Sequence, residues 1–135
     1  MKRISVLLMA MASLLAISCG TKNILAGEWK IDALKGEKVE TAEKEAFIGF
    51  DVKENRVYGC LGVNNVTGNY TFEEGRLSLG ELGMTMMAGL PQDMEVESKL
   101  RDALHTVVSA EAKDKGTIVL LDADGAEVLR LVKKK

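Results

Sequence analysis

The chain opens with two basic residues followed by an apolar run. Lys2 and Arg3 carry the positive charge, and residues 4–17 are almost all apolar or small. This order is typical of a bacterial export signal, and the run is shorter than the roughly 20 apolar residues that a membrane-spanning helix needs. The pattern therefore predicts a cleaved signal peptide over residues 1–18.

The end of this leader predicts lipid attachment. Ala16-Ile17-Ser18-Cys19 has the form of a lipobox, whose cysteine receives diacylglycerol and becomes the first residue of the mature protein. Residues 19–23 then form a tether that reaches at most roughly 15 Å beyond Cys19, so the domain is expected close to the membrane. An ordinary signal peptide remains the alternative, and it leaves Cys19 as a free or disulfide-bonded thiol.

Beyond the tether, short apolar segments alternate with polar or glycine-bearing turns, as in a domain of many strands. In the first segment Leu25, Gly27, Trp29 and Ile31 share one face by the two-residue repeat of a strand, and Trp29 is expected to anchor the core. Strands are predicted over residues 24–31, 46–52, 56–59, 68–72, 76–79, 82–87, 117–121 and 126–132.

The segment after residue 90 follows a helical period instead. Asp93 is the expected N-cap, with Glu95 and Glu97 in the first turn, where the helix dipole favours acids. Glu95 with Lys99, and Glu97 with Arg101, are expected as exposed pairs. The apolar stripe of this helix comprises Val96, Leu100, Ala103, Leu104, Val107 and Val108. The prediction is an α+β domain, a curled antiparallel sheet, open and barrel-like, packed on one main α-helix.

Charge and cysteine content narrow the function classes. The chain carries 18 Lys and Arg against 20 Asp and Glu, and loss of the leader removes two of the basic residues. Nucleic-acid binding draws its affinity from basic side chains on phosphates, so nucleic acid is set aside as a partner. If Cys19 carries lipid, Cys60 stands alone and no intramolecular disulfide is available.

Four stretches in a fixed order carry a resemblance to a known family. They are residues 25–29, 59–70, 85–89 and 94–97. Together they resemble the META domain, or HslJ-like family, which shows Leu-x-Gly-x-Trp, Gly-x-x-Gly-Cys-Asn before Gly-x-Tyr, Thr-x-Met-Ala-Cys, and a helix starting near Met-Glu-x-Glu. The resemblance implies one META domain over residues 24–135 and a link to heat or drug tolerance.

The sequence departs from this family at its paired cysteines. Val63 and Gly89 occupy the two positions, and Cys60 lies three residues before the first of them. Both members of the pair are replaced together, so no disulfide or redox role of the family is carried over to this chain.

Polar residues of the central loop are a first candidate site. Asn64, Asn65, Thr67 and Tyr70 either line a binding rim or belong to a self-bonded structural turn. The turn is the favoured interpretation, because Gly and Asn dominate turns for backbone reasons.

A second candidate site is an apolar groove. Met84, Met86, Leu100 and Leu104 are its candidate lining, because methionine adapts to varied apolar partners. Such a groove would make the protein a carrier or pilot-type lipoprotein that holds a lipid tail or a partner's helix.

No catalytic constellation is recognisable in the sequence. Cys60 needs a base to form a thiolate, and the one histidine, His105, is predicted on the polar side of the helix. We therefore predict a non-enzymatic lipoprotein without cofactor or metal, attached through Cys19 to the outer membrane and facing the periplasm. It is expected to support envelope integrity or stress tolerance by binding an envelope protein or a lipid.

Overall fold

The structure, a computed structural model, describes residues 24–134; the predicted signal peptide, Cys19 and the tether lie outside this range. Within it the chain forms ten strands and one helix. The elements are β1 (Gly27–Leu34), β2 (Glu37–Lys38), β3 (Phe47–Asp51), β4 (Arg56–Cys60), β5 (Asn65–Glu73), β6 (Arg76–Leu79), β7 (Gly83–Met84), α1 (Pro91–Leu104), β8 (Ser109–Asp114), β9 (Thr117–Leu121) and β10 (Glu127–Lys133).

Eight of the strands form a closed antiparallel barrel. Their order is β1, β3, β4, β5, β6, β8, β9 and β10, and β10 pairs again with β1. This last pairing runs from Trp29 opposite Lys133 to Leu34 opposite Leu129. The predicted antiparallel sheet with one main helix is confirmed, but the sheet closes where an open one was expected.

Closure has a physical cause in the two strands that meet. The edge of an open sheet leaves N–H and C=O groups unpaired, and β1 and β10 supply these partners to each other. A bulge between Ile31 and Ala33 bends β1 as the barrel curves. Leu129 and Leu131 of β10 are fully buried, so pairing with β1 also completes the apolar interior.

The core joins the barrel interior to the inner face of α1. Trp29 is 3% exposed and its indole N–H donates to the Leu25 carbonyl at 2.9 Å, which confirms it as a core anchor. Leu100 and Leu104 of α1 belong to the same buried cluster. The helix ends at Leu104, and Val108, predicted as part of its stripe, is 41% exposed.

Several predicted strands differ in extent from the observed ones, and two observed strands, β2 and β8, were not predicted. The strand predicted over 82–87 is reduced to Gly83–Met84, and the remainder leads into α1 without regular pairing. Strand β8 was not predicted because its six residues place a single apolar side chain, Ala110, in the core. The first strand begins at Gly27 instead of residue 24.

The start of α1 also differs from the prediction. Leu90 is the N-cap, without a side-chain cap, and Pro91 opens the helix, a position where its missing N–H has no cost. Asp93 therefore lies inside the first turn. The predicted Glu95–Lys99 pair is present at 3.4 Å. Within residues 24–134, no helix is both long enough and apolar enough to cross a membrane.

Candidate functional site

Glu97 holds the loop between β4 and β5 against α1. Its side chain was predicted on the exposed face beside Arg101, and that prediction is wrong, because Glu97 is 4% exposed. Oε1 accepts hydrogen bonds from the backbone N–H groups of Asn64 at 2.6 Å and Val63 at 3.2 Å. Oε2 accepts from Asn64 Nδ2 at 2.7 Å. One buried carboxylate thus fixes two loop residues through three donors.

Asn64 extends this network to the segment before α1. Its Oδ1 accepts from the Met87 N–H and from Thr85 Oγ1, the latter at 2.9 Å. Its Nδ2 also donates to the Met87 carbonyl at 3.2 Å. Thr85 Oγ1 in turn accepts from the N–H of Asn65 at 3.0 Å. The side chain of Asn64 therefore ties segment 85–89 to the β4–β5 loop and, through Glu97, to α1.

The loop itself requires a glycine. Gly62 has φ +116°, a conformation that residues with a Cβ rarely adopt. A Cβ there would also lie 2.9 Å from the Thr41 methyl group. The turn is closed by the Leu61 N–H, which donates to the Asn64 carbonyl at 3.1 Å.

Asp93 is a second buried carboxylate on the same face of α1. It is 1% exposed, and it accepts hydrogen bonds from the backbone N–H groups of Ala42 at 2.9 Å and Glu43 at 3.3 Å. Asp93 therefore accepts hydrogen bonds from a neighbouring loop and not from the first turn of its own helix. This corrects its predicted role as the N-cap. Throughout residues 24–134, every buried side-chain nitrogen or oxygen has a hydrogen-bond partner.

The four residues of the predicted rim lie in different environments in the structure. Asn64 is inside the network just described, as the structural-turn interpretation requires, whereas Asn65 and Thr67 are exposed on β5. Thr67 Oγ1 accepts from the Arg56 guanidinium at 2.8 Å. Tyr70 is buried with its ring edge-to-face against another core ring, 5.1 Å between centroids. Burial, with a smaller contribution from the charge of Asp51, raises the pKa of the Tyr70 phenol.

The residues proposed for an apolar groove do not share one. Leu100 and Leu104 are 0% and 1% exposed inside the core, and Met84 is half-buried against that core. Met86 lies on the outside at 95% exposure. The apolar stripe of the helix is used for packing the barrel. Leu104 also borders a cleft of about 680 Å³ beside His105 and Val108, but Met84, Met86 and Leu100 do not line it.

Two surface features were not found from the sequence. Met86, Met87, Leu90 and Met94 are all between 37% and 95% exposed, and we name these four residues the methionine face. This face was not predicted, because a strand over residues 82–87 would turn alternate methionines inward. His105 is exposed, as predicted, and no group of three His, Cys, Asp or Glu in the described part of the chain is placed to hold a metal ion.

The second feature is a cleft between α1 and the β1–β2 hairpin. Its volume is about 550 Å³, within the usual range of small-molecule sites. Leu34, Val39, Val96 and Ala103 form its apolar lining, and charged side chains, including Lys38 and Lys99, surround them. Its walls come from residues far apart in sequence, so periodicity gave no sign of it.

The two positions that hold cysteines in the resembling family are neighbours here. An ideal Cβ on Gly89 would lie 3.4 Å from the Val63 Cβ and 2.8 Å from its Cγ2. Cys60 is buried and free. The two positions are therefore adjacent in this chain, and a valine side chain packed against a glycine stands in place of the cysteine pair.

Comparison with known proteins agrees with this architecture. An NMR structure of a protein from Burkholderia xenovorans has a TM-score of 0.67 and 18% identity, over 86% of this chain and 88% of that one. A crystal structure of a DUF4847 family protein from Bacteroides vulgatus has a TM-score of 0.58 and 10% identity, over 84% and 96%. These likenesses show the fold, and no curated protein sequence matches. The family model of the META domain matches residues 22–135, and the chain therefore belongs to the META domain family.

Proposed function

We propose that this protein is a non-enzymatic lipoprotein at the periplasmic face of the outer membrane. Its META domain would support envelope integrity or stress tolerance by binding an envelope protein. The observation that carries the proposal is the exposure of the methionine face on a segment whose main chain is held by Asn64. The four exposed apolar side chains all fall within residues 86–94, exposed apolar side chains that occur together mark interaction sites, and methionine adapts to the shape of a partner.

The position of the lipobox supports the anchor. The family match begins at residue 22, and Leu25 is already 1% exposed. Cys19 therefore precedes the packed domain by only a few residues, so a lipid on Cys19 would leave a short tether between the membrane and the domain. A lipid on Cys19 would hold the methionine face within a domain's width of the membrane.

The use of the buried carboxylates supports a binding role over catalysis. A general acid or base needs a free position within hydrogen-bond reach of a substrate. Asp93 and Glu97 instead face backbone N–H groups that their oxygens already satisfy. Their hydrogen bonds hold the conformations of the loops, and the loops in turn determine the shape of the surface.

A carrier or pilot role is the alternative, and the cleft between α1 and the β1–β2 hairpin is the observation that favours it. Val96 and Ala103 offer an apolar wall there, which suits an acyl chain, and the charged rim of both signs suits a polar head. The cleft replaces the groove expected from the sequence as the site for such a ligand.

We expect the intact mass of the membrane-extracted protein to correspond to a chain starting at Cys19 with acyl chains attached. Cys19→Ala is expected to abolish both the cleavage and the added mass, because the acylated thiol is removed. Cys60→Ser is the matched control, since it removes the other cysteine and should leave the lipid in place. An unmodified mass in the wild-type protein would contradict the anchor.

Complementation tests the binding role. In a strain lacking the gene, we expect wild-type protein to restore survival under detergent or heat stress and Met86→Glu to fail, because a charge at the most exposed residue of the methionine face opposes an apolar contact. Met86 is 95% exposed, so the fold tolerates this change. Glu95→Ala is the control that should complement. Rescue by Met86→Glu, with failure of the cleft-filling variant Val96→Trp, would favour the carrier role instead.

A further inference from the structure

We propose that the open edge of β6 binds an extended peptide segment of a partner protein, which joins the barrel as a short additional strand. The site is the cleft of about 680 Å³ between β6 and the end of α1, which we name the seam cleft. Residues of β6 line one side of it, and Leu104, His105, Val107 and Val108 line the other. The site is separate from the methionine face and does not depend on the lipid anchor.

The contact between β6 and β8 is the shortest one between neighbouring strands of the barrel. Within residues 24–134 these strands are joined at a single residue pair, Arg76 opposite Ser109, whereas all other neighbouring barrel strands are joined over several residues. The Leu77 N–H still donates to the Val108 carbonyl at 3.0 Å. The Val108 N–H, however, donates to the Leu121 carbonyl of β9 at 2.8 Å. The two strands therefore diverge after Leu77, and the seam cleft lies in the gap.

Leu79 points its main-chain N–H and C=O into the seam cleft. Peptide groups of alternate residues along a strand face the same neighbour, and Leu77 uses its N–H on the β8 side. Leu79 lies two residues later, opposite Tyr70, so its two groups face that side as well. The next N–H, that of Gly80, returns to β5 and donates to the Asn69 carbonyl at 2.8 Å. Because β8 has turned away, no other part of the described chain bonds to either group of Leu79.

The two free groups of Leu79 specify the chemistry of the occupant. An N–H and a C=O of one residue that point the same way are matched by the C=O and the N–H of one residue in an extended peptide. The walls suit the side chains of such a peptide, because Leu79, Leu82 and Val107 are apolar. The titratable residues of the lining carry both signs and comprise Glu73, Glu74, Arg76 and His105. Their charges nearly balance, so main-chain pairing and the apolar walls are the main contacts that the cleft offers.

The second open edge at this seam is protected against pairing, and the β6 edge is not. Residues 111–114 of β8 extend past β6 and are exposed, and three of these four residues are charged. Charged side chains on an edge strand oppose the addition of another strand. On β6, the residues between Arg76 and Glu81 that line the cleft are all uncharged. An edge without this protection, lying inside a cleft, has the properties of an edge that binds a partner.

A peptide selected on the mature protein in detergent micelles tests strand addition without changing the protein. The probe is the tightest binder from a displayed library of random segments of about nine residues, made synthetically. Methylation of the one peptide nitrogen that faces Leu79 should raise the dissociation constant about tenfold, whereas methylation of either neighbouring nitrogen, which points away from β6, should change it less than about twofold. The Leu79 amide should exchange its hydrogen at least about tenfold more slowly in the complex, and the Ala112 amide on the β8 edge should be unchanged.

The variant Leu79→Pro removes the proposed donor from the protein. Proline is tolerated at an edge position whose N–H makes no bond within the sheet, so the barrel should fold, and the dissociation constant of the peptide should rise at least about tenfold. Ala112→Pro is the matched control and should bind as wild type, because its N–H faces the same side of β8 as that of Ala110, which donates to Gly75. Met86→Glu should also bind as wild type, so the result is independent of the methionine face.

The inference is overturned if the library yields no binding peptide, or if methylation weakens binding at no position. It is also overturned if the protein associates with itself and Leu79→Pro abolishes this association, because the β6 edge would then belong to a second copy of the chain. Sedimentation velocity measures that association. If Leu79→Pro does not fold, the methylation series on wild-type protein decides the question.

Discussion

Glu97→Ala is expected to lower the free energy of unfolding by about 3 to 5 kcal/mol. The change leaves the N–H groups of Val63 and Asn64 and the Asn64 amide without their acceptor in a buried site. The orientation of Asn64, and with it the position of segment 85–89, loses its support. Urea unfolding followed by tryptophan fluorescence measures the effect, because Trp29 lies in the core.

Glu95→Ala is the matched control for this measurement. It removes the same side chain two residues earlier on the same helix, where the carboxylate is 70% exposed and pairs with Lys99 at the surface. Its effect should stay within about 0.5 kcal/mol. Glu97→Gln should lie between the two, because the amide keeps one acceptor but turns an NH₂ group toward the donors of the loop. Equal stability of Glu97→Ala and Glu95→Ala would mean that the network contributes nothing to the fold.

The double variant Val63→Cys with Gly89→Cys is expected to form a disulfide and to raise the free energy of unfolding by about 3.5 kcal/mol. The Cβ atoms would stand 3.4 Å apart, next to the range that disulfides occupy. The bond would close the loop that contains β5, β6 and β7, and most of the gain comes from the entropy it removes from the unfolded chain. Oxidised and reduced samples of the same variant give the difference directly.

The single variants give this prediction its controls. Gly89→Cys alone places a side chain 2.8 Å from the Val63 methyl group and should be destabilising. Val63→Cys alone loses some apolar contact and should cost less. Cys60 is buried and should remain reduced in both. If the double variant keeps two free thiols after oxidation, the neighbouring relation of positions 63 and 89 is wrong.

Sequence pattern was informative wherever structure depends on near neighbours. The two-residue repeat placed Trp29 and Ile31 in the core, and β9 begins and ends where it was predicted. The 3.6-residue repeat found α1. In each case a residue's environment follows from its position on one regular element, which is the information that periodicity carries.

The pattern failed where a polar side chain has a distant partner. Glu97 was placed in solvent because a carboxylate on a helix is normally exposed, and its partner Asn64 lies 33 residues earlier in the chain. Family motifs around both residues were recognised, but a motif does not say which of its members touch. The pairing of β1 with β10 was not predicted for the same reason. The alternation of apolar and polar residues within a strand shows which face is buried, but it does not identify the strand that pairs with it.

The closed ring of strands also sets an order of events in folding. Trp29 on β1 pairs with Lys133 on β10. Strand β1 is synthesised before the other strands of the barrel, and it cannot complete its pairing until β10 has been synthesised. Contacts between such distant segments form slowly, because the loop between them has to be ordered first. Until β10 arrives, one edge of β1 is unpaired and the barrel interior stays open. Under the proposed export through a membrane, this delay would keep the domain unfolded until β10 has crossed.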